Sequence, residues 1–341
     1  MSVTITDIAK ELKISANTVS KALNGKDKVS PAMREKVIAT AEKLGYQRNK
    51  IASRLAQRPI KIGVLINGYD ENYYTYTLNG IEKARRKLMD YKVQIDVKMV
   101  EINVDTEKTS LAVLESFGNE NYDGVIINDF HSDKLKKVIE KLSPVKVALL
   151  NYSPTNCGQD FSMTNDYACA GGLAAQVIGM INRRGSQKSA VIYSKEATSS
   201  GQKSLQNSFK SIAAQSGIDN VFIAGTMEEL KIILSQNPQI GGIYVSMATC
   251  LDVCKFVKEN YSCENKPALV VSDLYEALIS YIEDGTVDAT IYQAPDLQAY
   301  TTVMEMYKLI SEGKEIEHNL KVKPTLVVKS NYRLYINQEK N

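Results

Sequence analysis

Three polar or small residues, Ala16, Asn17 and Lys21, stand at the start and one turn along a short segment that reads as a helix. Asn17 and Lys21 are four apart, so they share one helical face. An asparagine on such a face can pair bidentately with adenine, and a lysine can reach guanine acceptors or a phosphate. Ala16 offers only an apolar contact of the kind a thymine methyl accepts. The chemistry is therefore recognition. The residues that would make or break bonds are scarce. There are two histidines, His131 and His318, far apart in sequence, and no G-x-S-x-G, P-loop or G-x-G-x-x-G. The turn after the first strand-like run is Asn67-Gly68-Tyr69-Asp70, which cannot cradle a dinucleotide as a glycine fingerprint does. Cys250 and Cys254 sit at i,i+4, but no matching Cys/His pair joins them, so they read as small buried residues. No catalytic group, cofactor or metal site is expected.

The elements that must position Asn17 and Lys21 are legible around them. Thr4-Ile5-Thr6-Asp7 reads as a capping box, after which Ile5, Ile8, Ala9 and Leu12 recur at helical spacing. Lys13-Ile14 is a short break. Ser15 caps the second helix, whose inward face is Val19, Ala22 and Leu23. Ser30 caps a third helix with Pro31 at its first position. Met33, Val37, Ala41 and Leu44 line its inner face until Gly45 ends it. The package is a helix-turn-helix with a supporting helix. Residues 1–61 hold nine lysines and four arginines against two aspartates and three glutamates, a net charge of +8. The whole chain is +3, which leaves −5 for the rest. A basic small domain on an acidic large one points to a polyanion partner for the small one alone.

The run TITDIAKELKISANTVSKALNG, followed by VSPAMREKVIATAEKLGYQRNKIASRLAQ, resembles the DNA-binding end of the LacI/GalR family of bacterial transcription regulators. By that resemblance Ala16, Asn17 and Lys21 are the base readers, and Thr4, Ser15, Thr18, Ser20, Asn24 and Arg48 are expected on the phosphates. The stretch Lys50 to Leu55 is similar to the family's hinge helix, with Ile51, Ala52 and Arg54 in it. Leu55 holds the place of the leucine that wedges into the minor groove.

At 341 residues the chain exceeds one ordinary domain. Charged residues at 24% and apolar ones at 44% fit a soluble globular protein. No stretch suits secretion or membrane spanning, and five cysteines without framework spacing suggest reduced thiols, so a cytoplasmic setting is expected. The resulting expectation is a helix-turn-helix domain over 1–48, a hinge and linker over 49–59, and an α/β domain over 60–341. From Ile60 onward, strand-like and helix-like segments alternate, which argues for parallel sheets in two lobes. The lobes are drawn at about 60–160 with 293–322, and about 161–292 with 323–341.

Residues 60–330 resemble the periplasmic-binding-protein-like effector domain of the same family. Ligands of open α/β sheets sit at the carboxyl ends of strands. There the resemblance places Tyr73 and Tyr74 as rings that stack on a ligand, Asp273 as an acceptor for ligand hydroxyls, and Gln293 at the lobe crossing. Asn128 and Asp129 follow another strand, and Asp166 opens a helix, where a capping role is the stronger reading. Two departures stand out. Leu205 occupies the place of a usual arginine four residues before Phe209, and Val245-Ser246-Met247-Ala248 replaces a usual Asn-Asp pair. Both put an ordinary hexose or pentose in doubt. The implied protein is a dimeric regulator, most simply a repressor. It grips near-palindromic double-stranded operator DNA and answers to a small, sugar-like effector, with no membrane partner. A cytoplasmic ligand-binding protein with a non-specific basic anchor is the alternative, as is a regulator answering to a nucleoside or a protein.

Overall fold

The structure, a computed structural model, describes residues 3–23, 29–46, 58–68, 71–101, 103–128, 130, 132–182, 188–194, 200–246 and 250–336, the side chains of 71–73 excepted. It forms two compact units that divide between Arg58 and Pro59.

The first unit is built on three helices: α1 (Ile5–Leu12), α2 (Ala16–Leu23) and α3 (Pro31–Lys43). Each begins where a side chain satisfies the free N–H groups of the first turn. At α1 the Asp7 carboxylate accepts both the N–H and the hydroxyl of Thr4, at 2.9 and 2.7 Å. These bonds hold the Asp7 carboxyl below its ordinary range. At α2 the Ser15 hydroxyl accepts the Thr18 N–H at 3.0 Å. At α3 Ser30 accepts from Met33, and Pro31 occupies the first turn. The turn between α1 and α2 puts Lys13 in the left-handed region, at φ 54°, while Ile14 donates back to the Ala9 carbonyl. Gly45, at φ 70°, ends α3 in a Schellman arrangement. Its own N–H reaches Glu42 O, and that of Tyr46 reaches Ala41 O. Ile8, Ala9, Val19, Ala22, Val37 and Ala41 close the core, covered by Leu12, Leu23, Met33 and Leu44. These are the stripes the helical spacing predicts.

The second unit carries two six-stranded sheets. The first runs β11-β5-β4-β3-β1-β2, with β1 Ile60–Gly68, β2 Val93–Glu101, β3 Gly124–Asn128, β4 Lys146–Leu150, β5 Phe161–Asn165 and β11 Asn319–Val322. The second runs β12-β10-β9-β8-β6-β7, with β6 Ser189–Tyr193, β7 Asn220–Ala224, β8 Ile240–Val245, β9 Ala268–Ser272, β10 Ala289–Tyr292 and β12 Thr325–Val327. All pairings are parallel except β10 with β12. Parallel sheets need cover on both faces, which is why β3, β4 and β9 read as near-continuous apolar runs.

The chain crosses between the sheets three times: after Asn165 into α7 (Tyr167–Asn182), after Tyr292 into α12 (Pro295–Glu312), and between Val322 and Thr325. The first crossing corrects the boundary drawn near residue 160. Phe161-Ser162-Met163-Thr164-Asn165 alternates apolar with polar, yet all five residues are buried: β5 lies inside the first sheet, between β4 and β11, and both of its faces are covered.

Helices of the first lobe meet at close quarters. On α4 (Glu71–Leu88), a Cβ added at Gly80 would lie 2.0 Å from the Asp296 carbonyl oxygen at the start of α12. Backbone cannot give way as a flexible side chain can. Gly80→Ala is expected to cost about 1–3 kcal/mol or more by forcing the two helices apart. The midpoint of urea unfolding, followed by far-UV circular dichroism, measures it; an unchanged midpoint would show that the contact is slack.

Candidate functional site

Two places bring recognition chemistry together. The first is the outer edge of α2. Val19 and Ala22 are buried, which turns Ala16 and Asn17 outward, both exposed, with Lys21 half-buried beside them. Thr4, Ser15 and Thr18 are not free hydroxyls. Thr4 donates to Asp7, and Ser15 and Thr18 lie 2.8 Å apart, so any phosphate they met would join groups already committed to capping. Asn24, Arg48, Ile51, Ala52, Arg54 and Leu55 lie outside the described residues.

The second place is the carboxyl ends of the strands in the two-lobed unit. In the first lobe Asn67 is the last residue but one of β1, and it is buried. Its Nδ2 donates to the Asn128 carbonyl at 3.1 Å, and its Oδ1 accepts from the Ser110 hydroxyl at 2.7 Å. Asn128 itself is fully buried, and its side-chain amide has no partner among the described residues. Tyr74 is 2% exposed, a core residue of the first lobe with no ring face to offer a ligand. The stacking expected of it is therefore corrected: it sits on the inward side of α4, with Thr77, Ile81, Ala84 and Leu88. The Tyr73 side chain, Asp129 and His131 lie outside the described residues.

In the second lobe Asp273 follows β9. It is 6% exposed, and its backbone is left-handed, at φ 66°. Its two carboxyl oxygens accept the backbone N–H and the Nε2 of Gln293, each at 3.3 Å. Burial pushes the carboxyl up to about 7, against the pull of the Gln293 N–H. Tyr244 and Tyr292, whose hydroxyls feel the Asp273 charge, are themselves pushed up mainly by burial and stay neutral. Ser194 follows β6 and donates to Gln202, and Ser246 follows β8 and reaches the Tyr193 carbonyl. Leu205 and Phe209 are both in the core, Phe209 stacked on Tyr244 at 5.8 Å, so the arginine position carries no polar group into the cleft. Met247 and Ala248 lie outside the described residues.

Asp166 does what its position at a helix start suggests. Its Oδ1 accepts the Cys169 N–H at 3.1 Å and caps α7. Sequence reasoning missed Asn67, Ser194, Gln202 and Gln298, which are ordinary polar residues until the topology gathers them. Cys250 and Cys254 are fully buried, with the Cys250 sulfur 2.8 Å from the Tyr275 hydroxyl. Among the described residues no group of three or more His, Cys, Asp and Glu could hold a metal ion. Nor is any described helix long and apolar enough to cross a membrane.

Comparison with known proteins agrees with both halves. Residues 4–49 match the family described as "Bacterial regulatory proteins, lacI family", and residues 62–315 match "Periplasmic binding protein domain". Catabolite control protein A of Priestia megaterium is 35% identical over 182 residues, 52% of this chain and 51% of that protein. The chain thus spans about half the length of the curated relatives it matches. Among solved structures, a lac repressor dimer bound to operator and the anti-inducer ONPF superposes with a TM-score of 0.63 at 19% identity. It covers 96% of this chain and 98% of that one. GanP, a glucose-galactose binding protein from Geobacillus stearothermophilus, gives 0.69 at 18% identity over 81% of this chain and 99% of that one. With its helix-turn-helix unit followed by a two-lobed periplasmic-binding-protein domain, this chain belongs to the lacI family of bacterial regulatory proteins.

Proposed function

We propose that the chain is a repressor that binds a near-palindromic operator as a homodimer and is controlled by a small polar effector held between its lobes. The observation that carries the reading is the outward pair Asn17 and Lys21 on a capped, basic helix-turn-helix. An α-helix fits the major groove, and one such helix reads too few bases for useful specificity, so two half-sites are needed. Leu55 of each chain is assigned to the minor groove between them. The ligand is assigned to Asn128, Asp273 and Gln293. Asp166 enters only through its backbone-capping carboxyl, at the first crossing. A buried carboxyl with no cation shifting it among the described residues suits a ligand rich in hydroxyl donors, and the likeness to a glucose-galactose binding protein supports a sugar or sugar derivative.

The test is fluorescence anisotropy with short duplexes from the DNA upstream of the chain's own gene, at two salt concentrations. Tight binding to one near-palindrome is expected. Asn17→Ala should weaken it by about 1–3 kcal/mol, roughly 5- to 150-fold, with no change in salt slope. Leu55→Ala should remove the preference for that site. Equal, steeply salt-dependent binding to every duplex would sink the repressor reading and leave a non-specific anchor.

A further inference from the structure

The three crossings between the lobes are tied to one another, and one side chain does most of the tying. Gln298 lies in the first turns of α12, with no exposed surface. Its Nε2 donates to Asn165 Oδ1 at 2.6 Å and to the Gln293 carbonyl at 2.8 Å. Asn165 is the last residue before the first crossing, and Gln293 is the first residue of the second. The third crossing joins through the backbone, where the Asp166 N–H donates to the Val322 carbonyl at 3.1 Å. Gln293 in turn gives two N–H groups to Asp273. Hydrogen bonds, carried on by the Asn165–Asp166 peptide link, therefore connect the Asp273 carboxyl of the second lobe to all three segments that join the lobes.

The amide is also used unevenly. Both of its N–H bonds point at crossing segments, while its Oε1 has no partner among the described residues. A buried amide kept only to fill space would be replaced at little cost by an apolar side chain of the same shape, whereas removing one bonded to two separate segments leaves both of their acceptors unpaired.

We propose that Gln298 is a positioning residue that couples Asp273 to the angle between the lobes, by holding Gln293 and Asn165 in one rigid set. It rests on the reading of the cleft as the effector site. A ligand that takes over the carboxyl of Asp273 releases Gln293, and Gln298 passes that release to the first and third crossings. No contact between ligand and Gln298 is required. Gln298→Met keeps the volume and removes both bonds.

The test is a coupling cycle in the full chain, read by amide hydrogen exchange and needing neither DNA nor effector. Asp273→Gly removes the carboxyl while keeping a residue that accepts the left-handed backbone. In the chain with Gln298, Asp273→Gly is expected to speed exchange about fivefold or more in peptides spanning 163–168 and 320–326, as well as in 290–294. In the Gln298→Met background the response at 290–294 persists, and the distant two fall below about twofold. A merely structural role would slow or speed every segment alike in both backgrounds. Equal responses in the two backgrounds, or no distant response with Gln298 present, overturn the proposal. Should Gln298→Met not fold, Asn165→Ala removes the same arm and is read in the same way. Loss of operator binding would leave this result untouched, so the two readings fail separately.

Discussion

Replacing Asp273 by asparagine is expected to stabilise the two-lobed unit by about 2–4 kcal/mol at pH 8 and to leave it little changed at pH 4. In the unfolded chain this carboxyl ionises near its ordinary value of 3.8; in the folded chain burial raises it to about 7. The folded state therefore holds the proton more tightly. Its contribution to stability is fully present below pH 3.8, declines as pH rises, and is gone above about 7. The rise from 3.8 to about 7 corresponds to roughly 4 kcal/mol at most, reduced in the variant because asparagine offers one acceptor where the carboxyl offers two. Asparagine also tolerates the left-handed backbone found at this position. Urea unfolding at a series of pH values measures the effect: the variant should lose the downward slope between pH 4 and 7. Parallel slopes for the two proteins would place the ionised carboxyl in a better-solvated site than its burial indicates.

Ile8→Ala is expected to abolish DNA binding by unfolding the first unit while the second keeps its own transition. Ile8 is fully buried in a core that, among the described residues, is closed by six buried apolar side chains. Truncating a buried isoleucine costs about 2–5 kcal/mol, which equals the few kcal/mol that a unit of this size holds in total. Ile38→Ala is the control: Ile38 is 42% exposed on α3, and its loss should stay within about 0.5 kcal/mol. Calorimetry should show the low-temperature transition missing in the first variant and present in the second. Retained operator binding by Ile8→Ala would mean that the DNA itself folds the unit.

The first unit was legible because its signals are local. Thr4, Ser15, Ser30, Pro31 and Gly45 mark helix ends by their own chemistry, and the apolar stripes between them need no knowledge of the rest of the chain. The cleft was legible only in part. Asp273 and Gln293 came from resemblance and are indeed bonded to each other. Tyr74 was misplaced because one tyrosine beside a strand end looks the same whether its ring faces a ligand or the core; the face it takes is fixed by where α4 sits on the sheet. Gln298 could not be read at all. In Pro295-Asp296-Leu297-Gln298-Ala299 it resembles a solvated helix residue, and its partner Asn165 is 133 positions away. The strand β5 was missed for a related reason: alternation such as Phe-Ser-Met-Thr-Asn signals a half-wet strand, and the second neighbour that makes it an inner strand, β11, arrives near the end of the chain.

That late arrival matters to a chain emerging from the ribosome. Five strands of the first sheet are made by Asn165, yet α12, which packs on β3 and β4, is not complete until Glu312. At about 5–20 residues per second the uncovered face lasts on the order of ten seconds. During that interval five of the six strands of the second sheet are synthesised, beside a nascent sheet whose apolar surface is open to any chaperone that binds such surfaces.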